Sequence, residues 1–377
     1  MSRTEQLLRD LIALPSVNPA FLPPGHAHAG EQRVAEFLAH RARRAKLDVQ
    51  FQKVLPGRFN VLIRFTPRER VRRRILLAPH LDTVGVVHQR QFVPRKIHNR
   101  LYGRGACDTK GCVAAMFTAL CEVAGSGSGP RGTEITFVGL VDEENAQSGS
   151  RALVERSFRG DLAIVGEPTQ LRVVTAHKGD VWLRLETRGK SAHGARPELG
   201  RNAVHEMARI VDLLESGYAA RLRGRPRHPL LGRATINVGT IQGGTQPNIV
   251  PAACAISIDR RTLPGETDTT VRREIQSLLR AHGLRATLAS ARNGPCLPLE
   301  TNPRLPLVRH FLRVAGQSKP AGVDFFCDAS VLARGGIASV AFGPGNIAQA
   351  HTPDEWIALA QLERGKDLLR HFLQTLP

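Results

Sequence analysis

The sequence lacks an apolar window long enough to span a bilayer. Its N-terminus, MSRTEQLLRDLIALPSVNP, alternates charged residues with short apolar groups and has no uninterrupted apolar core of a signal peptide. Together these absences predict a soluble, cytoplasmic protein that has no membrane partner.

Cysteine is scarce, and its spacing is irregular. The chain has six cysteines and no CxxC pair among them. This pattern argues against a disulfide scaffold and against a structural zinc site, and it favours reduced thiols that pack as small core residues.

Aromatic residues make up only 5% of the chain, whereas the formal net charge at pH 7 is +20. Such a charge would suit a nucleic-acid binder, which would retain DNA or RNA in a salt-dependent way. The arginine clusters RERVRRR (68–74) and RLRGRPRHP (221–229) lie in expected loops, with few aromatic residues nearby to stack on bases. We therefore expect an arginine-rich surface that steers anionic substrates, and no nucleic-acid partner.

Four short apolar runs indicate the fold class. A chain of 377 residues usually forms more than one domain, and its 42% hydrophobic content is ordinary for a globular protein. Short apolar runs between helices are typical of a mostly parallel sheet whose two faces are covered by helices. In such sheets the ligand crevice lies outside the carboxyl ends of the strands. The runs are ILLAP (75–79), ITFVGLV (135–141), LAIVG (162–166) and ASVAFGPG (338–345).

The pattern of strand and helix signals changes between the third run and the fourth. From VWLRLETRG (181–189) to a last strand near 286–292, the pattern reads strand, helix, strand, strand, helix, strand. This order is the ferredoxin-like split βαβ arrangement. The sequence therefore predicts an α/β protein with one domain at 1–175 and 291–377, and an inserted ferredoxin-like α+β domain at 176–290.

Acidic and histidine side chains follow the apolar runs. Imidazole nitrogen and carboxylate oxygen together suit zinc, cobalt or manganese. One aspartate can bridge two metals through its two oxygens, which leaves one histidine and one glutamate for each ion. Five candidates come from five separate segments: His80, Asp108, Glu144, Glu167 and His351.

Two further carboxylates adjoin these candidates. Asp82 can accept a hydrogen bond from the His80 ring nitrogen that does not bind metal. Of the adjacent Glu143 and Glu144, one can ligate metal while the other takes a proton from a metal-bound water, as the general base of a hydrolase does. Alone, an HxD pair is usually a hydrogen-bonded pair and an EE pair a solvated turn. Their joint placement at one sheet edge favours an active site.

Eight motifs in chain order resemble the two-metal amidohydrolases: acetylornithine deacetylase, succinyl-diaminopimelate desuccinylase, aminoacylase and glutamate-releasing carboxypeptidases. The motifs are PHLDTV, GRGACDTKG, DEE, GEPT, GKSAHGARPELGRNA, GGTQPNIVP, DRRTLPG and GPGNIAQAHTPDEW. The resemblance implies two divalent ions, zinc foremost, with cobalt or manganese as alternatives. It assigns His80 and Glu167 to one ion, Glu144 and His351 to the other, and Asp108 to both. Asp82 then supports His80, and Glu143 is the base that activates the water between the metals.

The resemblance also extends to the inserted domain. It implies a homodimer in which His193 stabilises the oxyanion in the partner's active site. By the same resemblance, Arg261 binds the substrate α-carboxylate through its planar guanidinium group. Asn248 and Asn346 are implied as further substrate contacts.

The implied reaction is hydrolysis of the amide bond of N-acyl-L-amino acids. DRRTLPG and GPGNIAQAHTPDE are most similar to the acetylornithine deacetylase branch, while Thr109, His177 and Lys178 depart from the family pattern and leave the acyl group open. The role, in arginine biosynthesis or in catabolism, also stays open. Alternatives are a desuccinylase-like enzyme, a dipeptidase or carboxypeptidase of the same family, and a non-catalytic binding protein.

Overall fold

The computed structural model describes residues 1–377 except 128, 293 and 295. The chain divides into two compact units. The first comprises Met1–Thr175, Thr301–Ala321 and Cys327–Pro377, and the second comprises Ala176–Glu300 and Gly322–Phe326. Within the described residues, no helix is both long enough and apolar enough to cross a bilayer.

Helices occur in both units. In chain order they are α1 (Arg3–Ile12), α2 (Gln32–Arg44), α3 (Lys110–Gly125), α4 (Ser148–Glu155), α5 (Ala203–Asp212), α6 (Ala219–Gly224), α7 (Asp268–Ala281), α8 (Pro306–Val314), α9 (Ala329–Arg334) and α10 (Leu359–Gln374). A π-helical segment, Leu213–Tyr218, connects α5 to α6.

The strands alternate with these helices. They are β1 (Asp48–Leu55), β2 (Arg58–Phe65), β3 (Arg73–Pro79), β4 (Arg95–Ile97), β5 (Arg100–Tyr102), β6 (Thr133–Gly139), β7 (Leu162–Gly166), β8 (Val174–His177), β9 (Gly179–Arg188), β10 (Thr235–Gly243), β11 (Ala253–Thr262), β12 (Thr287–Ser290), β13 (Leu299–Glu300), β14 (Ala321–Val323), β15 (Ser339–Ala341) and β16 (Trp356–Ala358).

The main sheet of the first unit has a parallel centre. Its strands follow the order β1-β2-β6-β3-β7-β15, in which β6, β3, β7 and β15 are parallel and β1 and β2 add antiparallel pairs. Five consecutive residues of β3, Ile75–Pro79, are buried. Since neighbouring strand residues point to opposite faces, this burial means that both faces of the sheet are covered.

Helix α3 is the central helix of the first unit. Nearly all of its residues are buried, from Lys110 to Val123, and it packs against β6, β3 and α10. The rings of Phe117 and Phe137 meet edge to face at 5.8 Å between centroids. A helix that is apolar all round fits this interior position, and its first residue follows directly on the turn that carries Asp108.

The second unit is a four-stranded antiparallel sheet in the order β10-β11-β9-β12. Along β9, Val181, Leu183 and Leu185 are buried among residues of α5 and α7, while Trp182 and Arg184 alternate with them on the exposed face. This alternation is expected for a sheet that is covered on one side only. The predicted fold class is thus confirmed: an α/β unit with a parallel central sheet, together with a separate ferredoxin-like α+β unit.

Candidate active site and metal centre

The candidate site lies at the carboxyl edge of the parallel strands. His80 follows β3 directly, Glu167 follows β7 directly, and Glu143 and Glu144 follow β6 after a short turn. Because β6, β3 and β7 are parallel neighbours, their carboxyl ends meet at one edge. Asp108 reaches this edge from the turn before α3.

Three of the predicted ligands form a compact group. One ligand atom each of His80, Asp108 and Glu144 lies within 4.8 Å of the others. The Asp108 carboxylate lies between two imidazoles: its Oδ1 is 3.1 Å from Nε2 of His80, and its Oδ2 is 3.3 Å from Nε2 of His351. Nε2 of His351 is also 3.2 Å from Glu144 Oε2. His80 is buried, whereas the side chain of His351 is 53% exposed.

Glu167 belongs to the same electrostatic cluster. Its side chain is buried, and its Oε1 has no hydrogen-bond partner among the described residues. Burial and the nearby charge of Asp108 raise the pKa of Glu167 well above its ordinary value. A buried carboxylate oxygen without a donor is costly, and a bound cation would remove that cost.

Glu143 is buried beside these acidic groups. Burial raises the pKa of Glu143 well above its ordinary value; the charge of His80 opposes this shift, while those of Glu167 and Asp328 add to it. A carboxylate whose pKa is raised is a stronger base at neutral pH, which suits proton transfer.

The geometry of His80 defines which ring nitrogen is available to a metal. Its Nδ1 lies 3.0 Å from the backbone carbonyl oxygen of Asp82. Because a carbonyl can only accept a hydrogen bond, Nδ1 carries a proton and Nε2 is the nitrogen that can bind metal. Burial lowers the pKa of His80, but the nearby carboxylates of Asp108 and Asp82 outweigh burial, so that the pKa is raised well above its ordinary value.

The donor set fits a divalent metal centre. Two imidazole nitrogens and several carboxylate oxygens converge at this sheet edge, and these are the ligand types that zinc, cobalt and manganese accept. Like-charged carboxylates this close together repel one another unless cations lie between them. The unpartnered Glu167 oxygen supports the same conclusion.

Asp82 has a wider role than the sequence predicted. Its carboxylate Oδ1 is 3.5 Å from Nδ1 of His80, farther than its own backbone carbonyl. The two carboxylate oxygens instead accept hydrogen bonds from the backbone N–H groups of Glu143 and Glu144, both at 3.1 Å. Asn18 donates a third hydrogen bond at 2.7 Å. One buried carboxylate therefore connects the end of β3 to the turn that carries both glutamates.

A second group of residues stabilises that turn, and sequence reasoning missed it. Asp142 has a left-handed backbone conformation, with φ of 68°. Its side chain accepts hydrogen bonds from Arg58 at 2.9 Å and from Asn18 at 3.0 Å. Arg58 also forms an ion pair with buried Glu31. Arg58, Asn18 and Glu31 lie outside every recognisable motif, so only Asp142, next to the glutamate pair, gave a signal in the sequence.

The remaining predicted residues do not join this cluster through any described contact. In the second unit, His193 and Asn248 are exposed, and Arg261 forms a two-pronged ion pair with Asp259 at 2.9 Å. Nδ1 of His193 accepts a hydrogen bond from the Ala195 backbone at 3.1 Å. In the first unit, the Asn346 side chain accepts one from the Ala348 backbone at 3.0 Å and caps a short helical turn. Arg261 also lies 3.6 Å from Asp180, and the Asn248 carbonyl accepts a hydrogen bond from the Gly194 backbone at 2.8 Å.

Comparison with known sequences supports the resemblance. The profile of Peptidase family M20/M25/M40 matches residues 76–375. The acetylornithine deacetylase of Myxococcus xanthus is 34% identical over 281 residues, which cover 72% of this chain and 71% of that relative. The acetylornithine deacetylase of Vibrio cholerae is 28% identical over 357 residues, which cover 92% of each chain.

Solved structures share the fold over nearly the whole length. The M20 family metallo-carboxypeptidase of Sulfolobus solfataricus superposes with a TM-score of 0.79 at 17% identity, covering 99% of both chains. A dinuclear metal-binding peptidase of the M20 family from Bacillus subtilis superposes with a TM-score of 0.70 at 14% identity, covering 99% of this chain and 97% of that one. The family resemblance noted in the sequence is confirmed: the chain belongs to Peptidase family M20/M25/M40, a family of hydrolytic metalloenzymes.

Proposed function

We propose that this enzyme hydrolyses the amide bond of N-acyl-L-amino acids and is an acetylornithine deacetylase-like deacylase. The observation that carries the proposal is the convergence of His80, Asp108 and Glu144 within 4.8 Å, with buried Glu143 adjacent. The named relatives support the acetyl group as the first candidate for the acyl side, because acetylornithine deacetylases match most or nearly all of the chain.

The proposed metal centre holds two divalent ions, with zinc as the first candidate. His80 and Glu167 would hold one ion, Glu144 and His351 the other, and Asp108 would contact both. Bound divalent ions lower the pKa of a coordinated water and polarise the acyl carbonyl.

Glu143 acts as the base in this proposal. Its carboxylate accepts a proton from the attacking water and later delivers that proton to the nitrogen of the departing amine. Asp82 orients Glu143 and His80, since its carboxylate accepts a hydrogen bond from the Glu143 backbone and lies 3.5 Å from the His80 ring.

Residues of the second unit are proposed to bind the substrate. Arg261 would exchange its pairing with Asp259 for the substrate α-carboxylate, whose planar geometry matches the guanidinium fork. His193 would donate a hydrogen bond to the oxyanion. Asn248, and Asn346 of the first unit, are proposed as further contacts with the substrate.

We also propose a homodimer that forms through the edge strand β10. Among the described residues this strand pairs with β11 alone, so that its other side has no partner strand, although the Val238 N–H on β10 donates to Glu215. Ile241 on β10 is 56% exposed and Ile249 nearby is 36% exposed, which provides apolar surface at that edge. Light scattering should give twice the monomer mass for the wild-type protein. A charged substitution at Ile241 should reduce the measured mass to that of the monomer.

A hydrolysis panel tests the proposed function. N-acetylornithine, other N-acetyl amino acids, N-succinyl-diaminopimelate and dipeptides should be compared with and without a chelator. We expect N-acetyl amino acids to be hydrolysed fastest and the chelator to abolish turnover. Faster cleavage of dipeptides would instead support the peptidase activity that the family name records. Absence of both turnover and metal binding would overturn the proposal in favour of a non-catalytic binding protein.

A further inference from the structure

Glu355 is a buried carboxylate that the proposed mechanism does not use. It is 2% exposed and lies four residues after His351. Its two oxygens accept four hydrogen bonds from a single turn. The donors are Arg104 Nη1 at 2.7 Å and the backbone N–H groups of Gly105 at 3.0 Å, Cys107 at 2.8 Å and Asp108 at 2.9 Å.

These four donors belong to the turn that carries Asp108. Buried backbone N–H groups need acceptors, and here three of them share the carboxylate of Glu355. The last donor is the amide of Asp108 itself, so the interaction reaches the residue whose carboxylate lies between the two imidazoles. The conformation of this turn therefore depends on a residue about 250 positions away in the sequence.

The chain around Glu355 is fixed to the same region. Gly103 donates its backbone N–H to the carbonyl oxygen of Glu355 at 3.0 Å, and the side chain of Gln91 donates to the carbonyl of Pro353 at 3.0 Å. Directly after Glu355, strand β16 pairs with β5. Glu355 thus connects the segment that carries His351 to the turn that carries Asp108.

We propose that Glu355 is a positioning residue that sets the Asp108 carboxylate against His351 and thereby determines metal affinity. The inference rests on the proposed metal centre. Groups that hold a ligand in place commonly change metal affinity or activity by 10- to 100-fold when they are replaced. The same carboxylate forms a buried ion pair with Arg104, so its removal must be separated from a general loss of stability.

The test replaces Glu355 with Gln, which keeps the shape but directs an NH₂ group toward N–H donors. Zinc and cobalt dissociation constants should be measured by chelator competition, together with the visible spectrum of the cobalt form and the melting temperature of the metal-free protein. We expect Glu355→Gln to weaken metal binding by about 10- to 100-fold and to alter the cobalt spectrum. At saturating metal, kcat should fall more than KM rises, because the substrate contacts are unchanged.

Two comparison variants make the result decisive. Glu5→Gln removes another buried carboxylate of the first unit, one that pairs with Arg9 of α1 and Lys96 of β4. It should leave metal binding and the cobalt spectrum unchanged. Glu355→Asp keeps the charge and should recover part of the affinity, and it replaces Glu355→Gln in the test if that variant does not fold.

Three outcomes would overturn the inference. The first is that both Glu355 variants bind metal with wild-type affinity. The second is that Glu5→Gln loses as much metal affinity as Glu355→Gln, which would attribute the loss to reduced stability alone. If the wild-type protein binds no metal and hydrolyses none of the panel substrates, the proposed function fails and this inference fails with it. If the wild type binds metal and is active while the Glu355 variants match it, only the positioning role is wrong.

Discussion

The two units present their candidate functional residues in opposite ways. In the first unit they are mostly buried and contact one another at the edge of one sheet, as Asp108 does with His80 and His351. In the second unit His193 and Asn248 are exposed, and Arg261 is paired with its neighbour Asp259. The contacts of the first set form within one unit, whereas the proposed roles of the second set require substrate or another subunit.

Two buried histidines show the same contrast. Carboxylates surround His80, and they raise its pKa despite burial. His177 in the second unit is equally buried, but its Nδ1 meets only the backbone carbonyl of Lys178 at 2.9 Å, and burial lowers its pKa to about 4. A buried histidine therefore says little by itself, because its neighbours decide whether burial leaves it neutral or whether the protonated form is favoured.

The largest effect is expected from Glu143→Gln, which tests whether the carboxylate cluster contains a base separate from its ligands. Loss of a general base typically costs roughly 10²- to 10⁴-fold in turnover. We expect a kcat reduction in that range with unchanged metal content, as measured by elemental analysis. The adjacent Glu144→Gln is the matched control and should lose metal as well as activity. Equal metal loss in both variants would contradict the division of roles.

The next effect concerns His193 and tests whether the second unit acts on a partner's site. Loss of one oxyanion donor costs about 10²- to 10³-fold in kcat, and we expect this for His193→Asn. Mixing His193→Asn with Glu143→Gln subunits should restore about a quarter of wild-type activity after exchange, since half of the dimers then contain one complete site. If His193 acts within its own subunit, the mixture will stay inactive.

A smaller effect is expected from Asp82→Asn. The change leaves the backbone carbonyl that binds His80 Nδ1 in place but weakens the acceptor for the Glu143 and Glu144 amides. Metal affinity or activity should fall by about 10- to 100-fold, as measured by chelator competition and steady-state kinetics. Asp10→Asn, at a partly exposed ion pair on α1, is the control. A loss no greater than that of the control would remove Asp82 from the site.

The sequence predicted the strand-end cluster because strand runs and their terminal residues are local patterns. ILLAP before His80 and LAIVG before Glu167 identify buried strands, and parallel pairing then brings their ends together. The supporting residues could not be found in this way. Arg58 and Glu355 act through hydrogen bonds to segments far away in the chain, and a lone arginine or glutamate has no local pattern that reveals its partner.

Asp82 shows an intermediate case. Its spacing of two residues from His80 correctly indicated that the two interact, but not that the nearer acceptor is the backbone carbonyl. Which oxygen is nearest depends on how the chain turns after β3. The carboxylate is held by the Glu143, Glu144 and Asn18 N–H groups, and none of these interactions is encoded in the HxD spacing.

The smallest effect on turnover is expected from His177→Gln. This variant tests how the stability of the second unit depends on pH. Because the folded pKa of about 4 lies below the ordinary value of 6.5, the unfolded chain binds more protons between these values. The neutral histidine's contribution is complete above pH 6.5 and is lost as the pH falls toward 4. The shift corresponds to about 3 kcal/mol at most. Wild-type stability should therefore fall more steeply over this range than that of the variant.

Urea unfolding followed by tryptophan fluorescence measures this difference. Trp182 lies on β9 of the second unit, so a Trp356→Phe background restricts the signal to that unit. His205→Gln, which removes an exposed histidine of the same unit, should give the wild-type pH dependence. If His177→Gln and His205→Gln have the same pH dependence, then His177 does not resist protonation in the folded state, and the contrast with the carboxylate-lined His80 loses its physical basis.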